Sequence, residues 1–438
     1  MAVTELHHPS FAELTRVSAR IGFLSFGGPA GQIALMHREL VDERRWVDED
    51  EYLQALNLCT LLPGPEAQQL ATWIGWKLHG WRGGLVAGGL FVIPGALVML
   101  ALSMLYAFAA DLAWFAALFL GIKAAVLAII AQALLRLAGR ALKSPFQRAL
   151  AVAAFAALFA FDAPFPLVVL AALALGALAG TGRPGVPPSP SGPAGSGGGA
   201  RPWGATVRAV AVWLAIWAAP MAAVWAILGP DHVLWDIGAF FSQLAVVTFG
   251  GAYAVLAYMA QEAVGGFGWL SAGEMADGLG LAETTPGPLI MVTQFVGLLA
   301  GFRDAAPMTP LAAGIAAATL TTWVTFAPCF LWIFAMAPWM DRLQRAPALK
   351  GGLAGVTAAV VGVIANLALW FALHVLFARV EIVVAGPLRL YVPEWASFDW
   401  RAAAIAVLAL VLVFRLRWGM VATLGTAAGL GWVLGALT

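Results

Sequence analysis

The chain has 438 residues, of which 62% are hydrophobic and only 11% are charged, and its formal net charge at pH 7 is +1. A soluble domain is typically about 45–50% apolar and about 25% charged, so this composition excludes an ordinary soluble domain. The near-zero net charge and the lack of a basic run give no indication of nucleic-acid binding.

Several apolar segments exceed 20 residues and carry one charge or none. Each is long enough to cross a hydrocarbon core of about 30 Å as a helix. The apolar runs are continuous and do not alternate with period two, which favours helices over a β-barrel. We therefore predict an all-α integral membrane protein. The segments include residues 84–110, 207–228, 310–337 and 351–378.

The first motif in chain order is Phe26-Gly27-Gly28. Paired glycines after an apolar stretch permit an unwound backbone or a close helix contact. Residues 37–53 follow and are predicted to form an amphipathic surface helix. Its Arg44 and Arg45 either anchor the chain to anionic membrane lipids or recruit an oxyanion.

A helix is predicted to break next, at Pro63-Gly64-Pro65. Residues 53–62 are apolar and are expected to enter the membrane as one helical arm. Pro63 lacks an N–H group and ends this arm, and Pro65 suits the first position of a new helix. Glycines and prolines of this kind also serve simply to kink or pack helices. A helix that begins inside the protein presents free N–H groups and about half a positive charge, which favours an anion.

Two charged residues of the first part are candidates for chemistry. Glu66 lies in the first turn of the new helix, where a carboxylate either stabilises the helix dipole or carries a proton. Lys123 falls inside a predicted span, residues 112–135, where a charge is costly. It is therefore a functional candidate, or else it reaches an interface or pairs with a carboxylate.

The only cysteines in the sequence are Cys59 and Cys329. They are too few for a metal site and do not indicate a disulfide framework. We expect buried apolar side chains at both positions and no metal or other cofactor.

The chain divides at a Pro/Gly/Ser-rich stretch, residues 181–206, which is predicted to be a flexible linker because it cannot bury a core. We predict a first repeat at residues 1–180 and a second at residues 229–438. Residues 207–228 form an additional spanning helix without a counterpart in the first repeat. Each repeat is expected to end in a hairpin of short spans. These hairpins pair residues 149–161 with 165–180 and residues 402–414 with 418–437.

The two repeats are copies of one unit. Between residues 26 and 65, 14 of 40 positions are identical to the residue 223 positions later, without a gap. Further on the offset is 234, which aligns Pro94 with Pro328 and residues 121–126 with 355–360. This internal duplication is the strongest single signal in the sequence.

Lysines and arginines indicate that the repeats have opposite orientations. The loop between Phe-Gly-Gly and Pro-Gly-Pro of the first repeat contains Arg38, Arg44 and Arg45, whereas its counterpart, residues 261–285, contains no Lys or Arg. The bias reverses in the next loop, where residues 341–350 are basic. Because Lys and Arg prefer the cytoplasmic side, we predict inverted-topology repeats with broken or re-entrant helices. The N-terminus and the linker are then cytoplasmic.

The second repeat carries its own break, Pro286-Gly287-Pro288. Thr285 stands where its hydroxyl is predicted to cap the following helix. Glu283 precedes the break and is a second candidate proton carrier. Leu289 occupies the position of Glu66, so the two breaks differ chemically.

The combined motifs resemble the chromate transporter superfamily, in its long form with two repeats. The stretches that carry the resemblance are "FGGPAGQIALMHRELVDERRW", "LLPGPEAQQLATWIG" and the second "FGG…LAETTPGPL". The resemblance implies a protein of the cell inner membrane that exports chromate, a tetrahedral dianion similar to sulfate, by proton antiport. Many members have His where this chain has Gln32, so we assign no proton transfer there. The motif positions carried over are Gly27, Gly28, Glu39, Trp46, Pro63, Gly64, Pro65, Gly250, Gly251, Pro286, Gly287 and Pro288.

From the residues and the resemblance together we predict the candidate site. The candidate substrate-binding residues are Gly27, Gly28, Pro63, Gly64, Pro65, Gly250, Gly251, Pro286, Gly287, Pro288, Lys123, Arg38 and Arg45. The candidate proton-coupling residues are Glu66, Glu283, Glu39 and Glu262.

Three alternatives stay open at this point. The substrate is sulfate or another anion, or the protein is a passive anion channel. A more distant alternative is an integral-membrane enzyme that acts on a lipid-linked substrate, although no metalloprotease, nucleophile-elbow or ATP-binding motif supports it. The sequence does not decide whether the chain forms a homodimer.

Overall fold

The computed structural model describes residues 7–26, 28–110, 112–181, 203–249, 252–340 and 346–436. Nearly all of the predicted linker lies outside the described residues, as do Gly27, Gly250 and Gly251 of the two Phe-Gly-Gly motifs.

The first repeat consists of helices, and the π-helical turn Arg38–Glu43 continues the second of them. The helices are α1 (Phe11–Leu24), α2 (Gly28–His37), α3 (Glu49–Leu61), α4 (Glu66–Ala109), α5 (Ala113–Ala141), α6 (Pro145–Phe161) and α7 (Phe165–Thr181).

The predicted additional helix comes next as α8 (Trp203–Leu228). The second repeat contains π-helical turns at Gln261–Gly266 and Val411–Arg415 and the two-stranded sheet β1 (Val380–Ala385) and β2 (Leu388–Pro393). Its helices are α9 (Val233–Val247), α10 (Ala252–Ala260), α11 (Ala272–Thr284), α12 (Val292–Arg303), α13 (Pro310–Met336), α14 (Pro347–Leu376), α15 (Trp400–Leu410) and α16 (Met420–Ala436).

Local features recur at equivalent positions of the two repeats. The π-helical turn after α2 has its counterpart after α10. The side chains of Asp48 and Ser271, which are 223 positions apart, accept backbone N–H groups at the starts of α3 and α11. Helix α4 has non-helical backbone angles at His79 and Gly80, and its counterpart is divided into α12 and α13. The repeated sequence therefore folds twice into the same unit.

Several helices are long and apolar enough to cross a membrane. Within the described residues these are α4, α5, α8, α14 and the segment Pro310–Trp339 that contains α13. The predicted spans and the two predicted short hairpins, α6 with α7 and α15 with α16, are confirmed. The chain is an all-α integral membrane protein built from two homologous halves.

Each predicted Pro-Gly-Pro break is bound to the other repeat. The N–H group of Gly64 donates a hydrogen bond of 2.8 Å to the carbonyl of Thr248, and the N–H of Gly287 donates one of 2.8 Å to the carbonyl of Ser25. Both glycines have positive φ angles, 118° and 89°, which favour glycine. Since 25 and 248, like 64 and 287, are 223 positions apart, the two hydrogen bonds form a symmetric pair.

A second symmetric pair of contacts surrounds the breaks. A Cβ added to Gly64 would lie 2.9 Å from the Sγ atom of Cys329 in α13. At the equivalent position in α4, Gly95 packs on the second break, so that an added Cβ would lie 2.5 Å from the carbonyl oxygen of Pro286. Cys59 and Cys329 are both buried and free, as predicted.

The hairpin that ends each repeat packs against a helix of the other repeat. Helix α7 packs closely against α14, where Gly176 and Gly180 face Gly351 and Gly355. Helix α16 packs in the same manner against α5. Small residues allow the backbones to approach, which is how helices associate in a membrane without a hydrophobic driving force.

Two predictions of local structure are wrong, and one element has no prediction. Residues 37–53 do not form one surface helix, because the chain turns at Arg45, whose φ is 53°, and a new helix begins at Glu49 after its Asp48 cap. Thr285 does not cap the helix after the break, since its hydroxyl donates to the carbonyl of Ala282 in the preceding helix. The β1–β2 hairpin was not predicted, although its turn contains Gly386 at φ 62°.

We predict that Gly95→Ala destabilises the protein by about 1–3 kcal/mol, because the new methyl group overpacks the contact with Pro286. Thermal unfolding in detergent, followed by tryptophan fluorescence, measures this effect. The control is Gly89→Ala in the same helix, where the nearest atom to an added Cβ lies 4.0 Å away. Equal unfolding midpoints for the two variants would contradict the tight packing of α4 on the second break.

Candidate substrate cavity

A cavity of about 950 Å³ enters the protein between the two repeats. Its wall includes the start of α2, the C-terminal half of α5 and the turn between α15 and α16. The polar and charged side chains that line it are Glu66, Gln132, Arg136, Arg140, Glu283 and Arg417.

The outer part of this cavity is basic. Arg136 and Arg140 lie one turn apart on α5, and Arg417 lies in the turn before α16, where its φ is 54°. All three side chains are exposed. The preference of arginine for the cytoplasmic side predicts that this mouth faces the cytoplasm.

The inner part of the cavity is lined by one glutamate beside each Pro-Gly-Pro break. Glu66 is the first residue of α4 and is half-buried, and Glu283 lies near the end of α11 and is 4% exposed. The two carboxylates come from equivalent regions of opposite repeats, and a single cavity contains both. Gly28, the only described glycine of the first Phe-Gly-Gly motif, also lines it.

The two helix starts after the breaks are not equivalent. Pro65 precedes α4, and no side chain in the described part of the chain caps that helix start. The second start, Leu289–Met291, is also uncapped by a side chain, but its residues are buried and do not line the cavity. Of the two helix starts that follow the breaks, the structure thus places that of α4 at the cavity.

Glutamine side chains hold the backbone of both breaks. The Nε2 of Gln69 donates to the carbonyl of Pro63 at 2.7 Å, and the Nε2 of Gln32 donates to the carbonyl of Gly287 at 2.6 Å. Both side chains are buried. Sequence reasoning missed these roles, because each depends on a backbone carbonyl that only the folded chain brings near.

Three predicted residues lie elsewhere. Arg38 is exposed, with its Nε 3.6 Å from Glu43, and Arg45 is exposed on the same surface segment. Glu39 is 1% exposed and forms ion pairs with Arg20 and Arg44. None of the three lines the cavity.

Lys123, a further predicted site residue, also lies outside the cavity. Its Nζ lies 3.4 Å from Oδ1 of Asp277 in α11. The other carboxylate oxygen of Asp277 accepts a 2.7 Å hydrogen bond from the hydroxyl of Tyr106. Sequence reasoning missed Asp277, although it is an acidic residue in the otherwise apolar run "MADGLGLA".

A second, smaller cavity of about 270 Å³ lies at the β hairpin and the α6–α7 turn. It contains Glu262, whose pKa is raised by burial and by the nearby Asp162 carboxylate. Asp162 forms an ion pair with Arg389 and accepts a hydrogen bond of 2.5 Å from Gln261. The two cavities share no lining residue.

Two residues of the second cavity are repeat counterparts of residues that line the first. They are Trp370 and His374 of α14, which lie 234 positions after Arg136 and Arg140 of α5. The two arginines of one mouth are thus replaced by an indole and an imidazole at the other.

Two homologous halves, broken helices that are hydrogen-bonded to the opposite half, and a cavity lined by residues next to the breaks are typical of a membrane transporter. The chain belongs to the chromate transporter family, since a sequence model of that family, described as chromate transporter, matches residues 12–177 and 235–432. The matched ranges leave out the linker and α8.

Known relatives agree with this family. A chromate transport protein of Pseudomonas aeruginosa is 33% identical over 373 residues, which cover 83% of this chain and 82% of that protein. A probable chromate transport protein of Synechococcus elongatus is 29% identical over 362 residues, or 82% and 84% of the two chains. A chromate transport protein of Cupriavidus metallidurans is 28% identical over 360 residues, or 80% of each chain. No solved structure matches the chain.

We predict that the two cavities open on opposite sides of the membrane. A membrane-impermeant maleimide should label Gln132→Cys in inside-out vesicles and His374→Cys in intact cells. The unsubstituted protein is the control, because its Cys59 and Cys329 are buried. Labelling of both variants from the same side would contradict the inverted arrangement.

Proposed function

We propose that the protein is a secondary active transporter that exports chromate from the cytoplasm by proton antiport. The observation that supports this function most directly is the single cavity that joins three exposed arginines to the uncapped start of α4. Relatives that align over most of their length are named chromate transport proteins.

The cavity supplies two kinds of group that suit a tetrahedral dianion. Guanidinium groups donate paired hydrogen bonds to oxyanions, and Arg136, Arg140 and Arg417 surround the mouth. A helix N-terminus offers free N–H groups and a partial positive charge, and α4 begins at Glu66 inside the cavity. In the proposed mechanism the arginines attract chromate and the start of α4 binds it.

The difference between the two cavities supports export. With the arginine-rich mouth in the cytoplasm, anion loading is favoured there. The other cavity has Trp370 and His374 at the equivalent positions and also contains Asp162 and Glu262, so a released dianion is not recaptured. An inside-negative membrane potential also favours outward movement of a dianion.

Alternating access accounts better for the cavities than a passive channel does. The two cavities share no lining residue, and the hydrogen-bonded breaks lie between the two repeats. In a transporter of inverted repeats, one repeat rocks against the other to open each side in turn.

Several further features belong to the same proposal. The protein lies in the cell inner membrane, with its N-terminus and linker in the cytoplasm. Its repeats span residues 1–180 and 229–438. Sulfate, which has the same shape and charge as chromate, is expected to compete for the cavity.

Flux measured in proteoliposomes tests this function. The liposomes contain purified protein and equal chromate concentrations inside and outside, and the membrane potential is clamped at zero. An imposed inward proton gradient should drive net chromate efflux, which added sulfate should slow. A passive channel would give no net movement under these conditions. The absence of any chromate flux would overturn the substrate assignment.

We predict that Arg136→Gln combined with Arg140→Gln raises the KM for chromate about tenfold, equivalent to about 1.4 kcal/mol of binding free energy. The reason is the loss of two guanidinium groups that face the anion. Initial rates of chromate uptake into inside-out vesicles measure this effect. The matched control, Arg38→Gln with Arg45→Gln, removes two exposed arginines outside the cavity and should change KM less than twofold. Equal effects of the two double variants would mean that the cavity arginines act only through surface charge.

A further inference from the structure

Proton antiport requires a proton carrier outside the anion cavity. Glu66 and Glu283 line the cavity, so a proton on either carboxylate removes negative charge beside the anion and favours anion binding. By thermodynamic reciprocity, the bound anion then favours proton binding on the same side. That linkage drives proton and anion in the same direction. The antiported proton therefore needs a group whose charge does not bear directly on the bound anion.

Asp277 is such a group. It is 6% exposed and does not line either cavity. Of the described residues, the titratable and charged groups that act on it are Tyr106 from α4, Lys123 from α5 and Glu274 from its own helix. Glu274 is in turn paired with Arg303 of α12. Because α5 belongs to the first repeat and α11 to the second, the Lys123–Asp277 ion pair joins the two halves that must move against each other.

The fold itself does not require these charges. By the offsets of the repeat, the counterparts of Asp277, Lys123 and Tyr106 are Gln54, Thr357 and Met340. The same scaffold therefore accommodates neutral residues at the equivalent place. An ion pair within the membrane is expensive to build, so its presence in only one of two equivalent positions points to a function.

We propose that Asp277 carries the coupling proton and that Lys123 is its fixed counter-ion rather than a substrate ligand. This inference rests on the proposed antiport of chromate. In the carrying step an O–H bond forms at Oδ1 of Asp277, and its ion pair with the Lys123 ammonium breaks. Tyr106 keeps its hydrogen bond to Oδ2 and positions the carboxyl group.

The helix that carries Asp277 also offers a route on both sides. Glu274, three residues earlier, lies about 4.5 Å away along the helix axis toward the end predicted to be extracellular. Glu283, six residues later, lies about 9 Å away along the axis and lines the cavity predicted to face the cytoplasm. A proton taken up near Glu274 thus leaves toward the cavity at the other end of α11.

The net charge of the Lys123–Asp277 pair is consistent with the two conformational changes of a transport cycle, one with the anion bound and one without it. While Asp277 is ionised the pair is neutral, and the loaded protein moves a dianion outward. When Asp277 is protonated the pair carries one positive charge, and the empty protein returns inward. An inside-negative potential favours both movements.

The decisive variant is Asp277→Asn, compared with wild type in proteoliposomes at clamped potential. In wild type, a tenfold proton gradient should shift the equilibrium chromate ratio about tenfold for one coupled proton. In the variant, whose pair keeps the charge of the protonated state, this ratio should change less than twofold. Asp277→Glu should restore the response. A wild-type protein without any proton response would instead refute the proposed antiport.

A second variant covers the case in which Asp277→Asn leaves Lys123 as an uncompensated charge and impairs folding. Asp277→Gln combined with Lys123→Thr installs the residues of the equivalent position in the other repeat. Exchange without a proton response supports the proposal. A proton response retained in either variant overturns it, and so does loss of exchange in a correctly folded double variant, because the pair would then serve substrate translocation itself.

Discussion

Two backbone hydrogen bonds, from Gly64 to Thr248 and from Gly287 to Ser25, hold the centre of the molecule together. Each Pro-Gly-Pro break ends a helix within the apolar region, and a buried N–H group there needs a partner. Neither repeat supplies that partner for itself. The two halves are therefore completed only by each other, and their broken helices meet at the interface where a transporter binds its substrate.

Symmetry of the backbone is combined with asymmetry of the charges. The same fold presents Arg136 and Arg140 at one mouth and Trp370 and His374 at the other. The ion pair of Asp277 likewise occurs at only one of two equivalent positions. A duplicated scaffold carries two cavities with different side chains, and in the proposed function these side-chain differences set the direction of transport. This division explains why identical motifs mark the backbone breaks while the charged residues are not repeated.

The sequence predicts those parts of the fold that depend on local pattern. The spans follow from apolar runs, the breaks from prolines, and the duplication from two regular offsets of 223 and 234 residues. The roles of individual polar side chains depend on distant partners instead. Tyr106 reaches Asp277 across 171 positions and Gln32 reaches Gly287 across 255, so no local signal reveals them. The prediction of one helix over residues 37–53 is wrong because the amphipathic pattern continues across a turn. That turn ends at Asp48, which caps the start of a new helix.

In the proposed function, an oxyanion binds where the cavity meets the start of α4. Anomalous diffraction at the chromium absorption edge, from crystals soaked in chromate, locates the anion directly. We expect a chromium peak inside the cavity, between Glu66 at the helix start and the arginines of α5. A chromium peak confined to the exposed Arg38 and Arg45 surface, or to the second cavity, would contradict it.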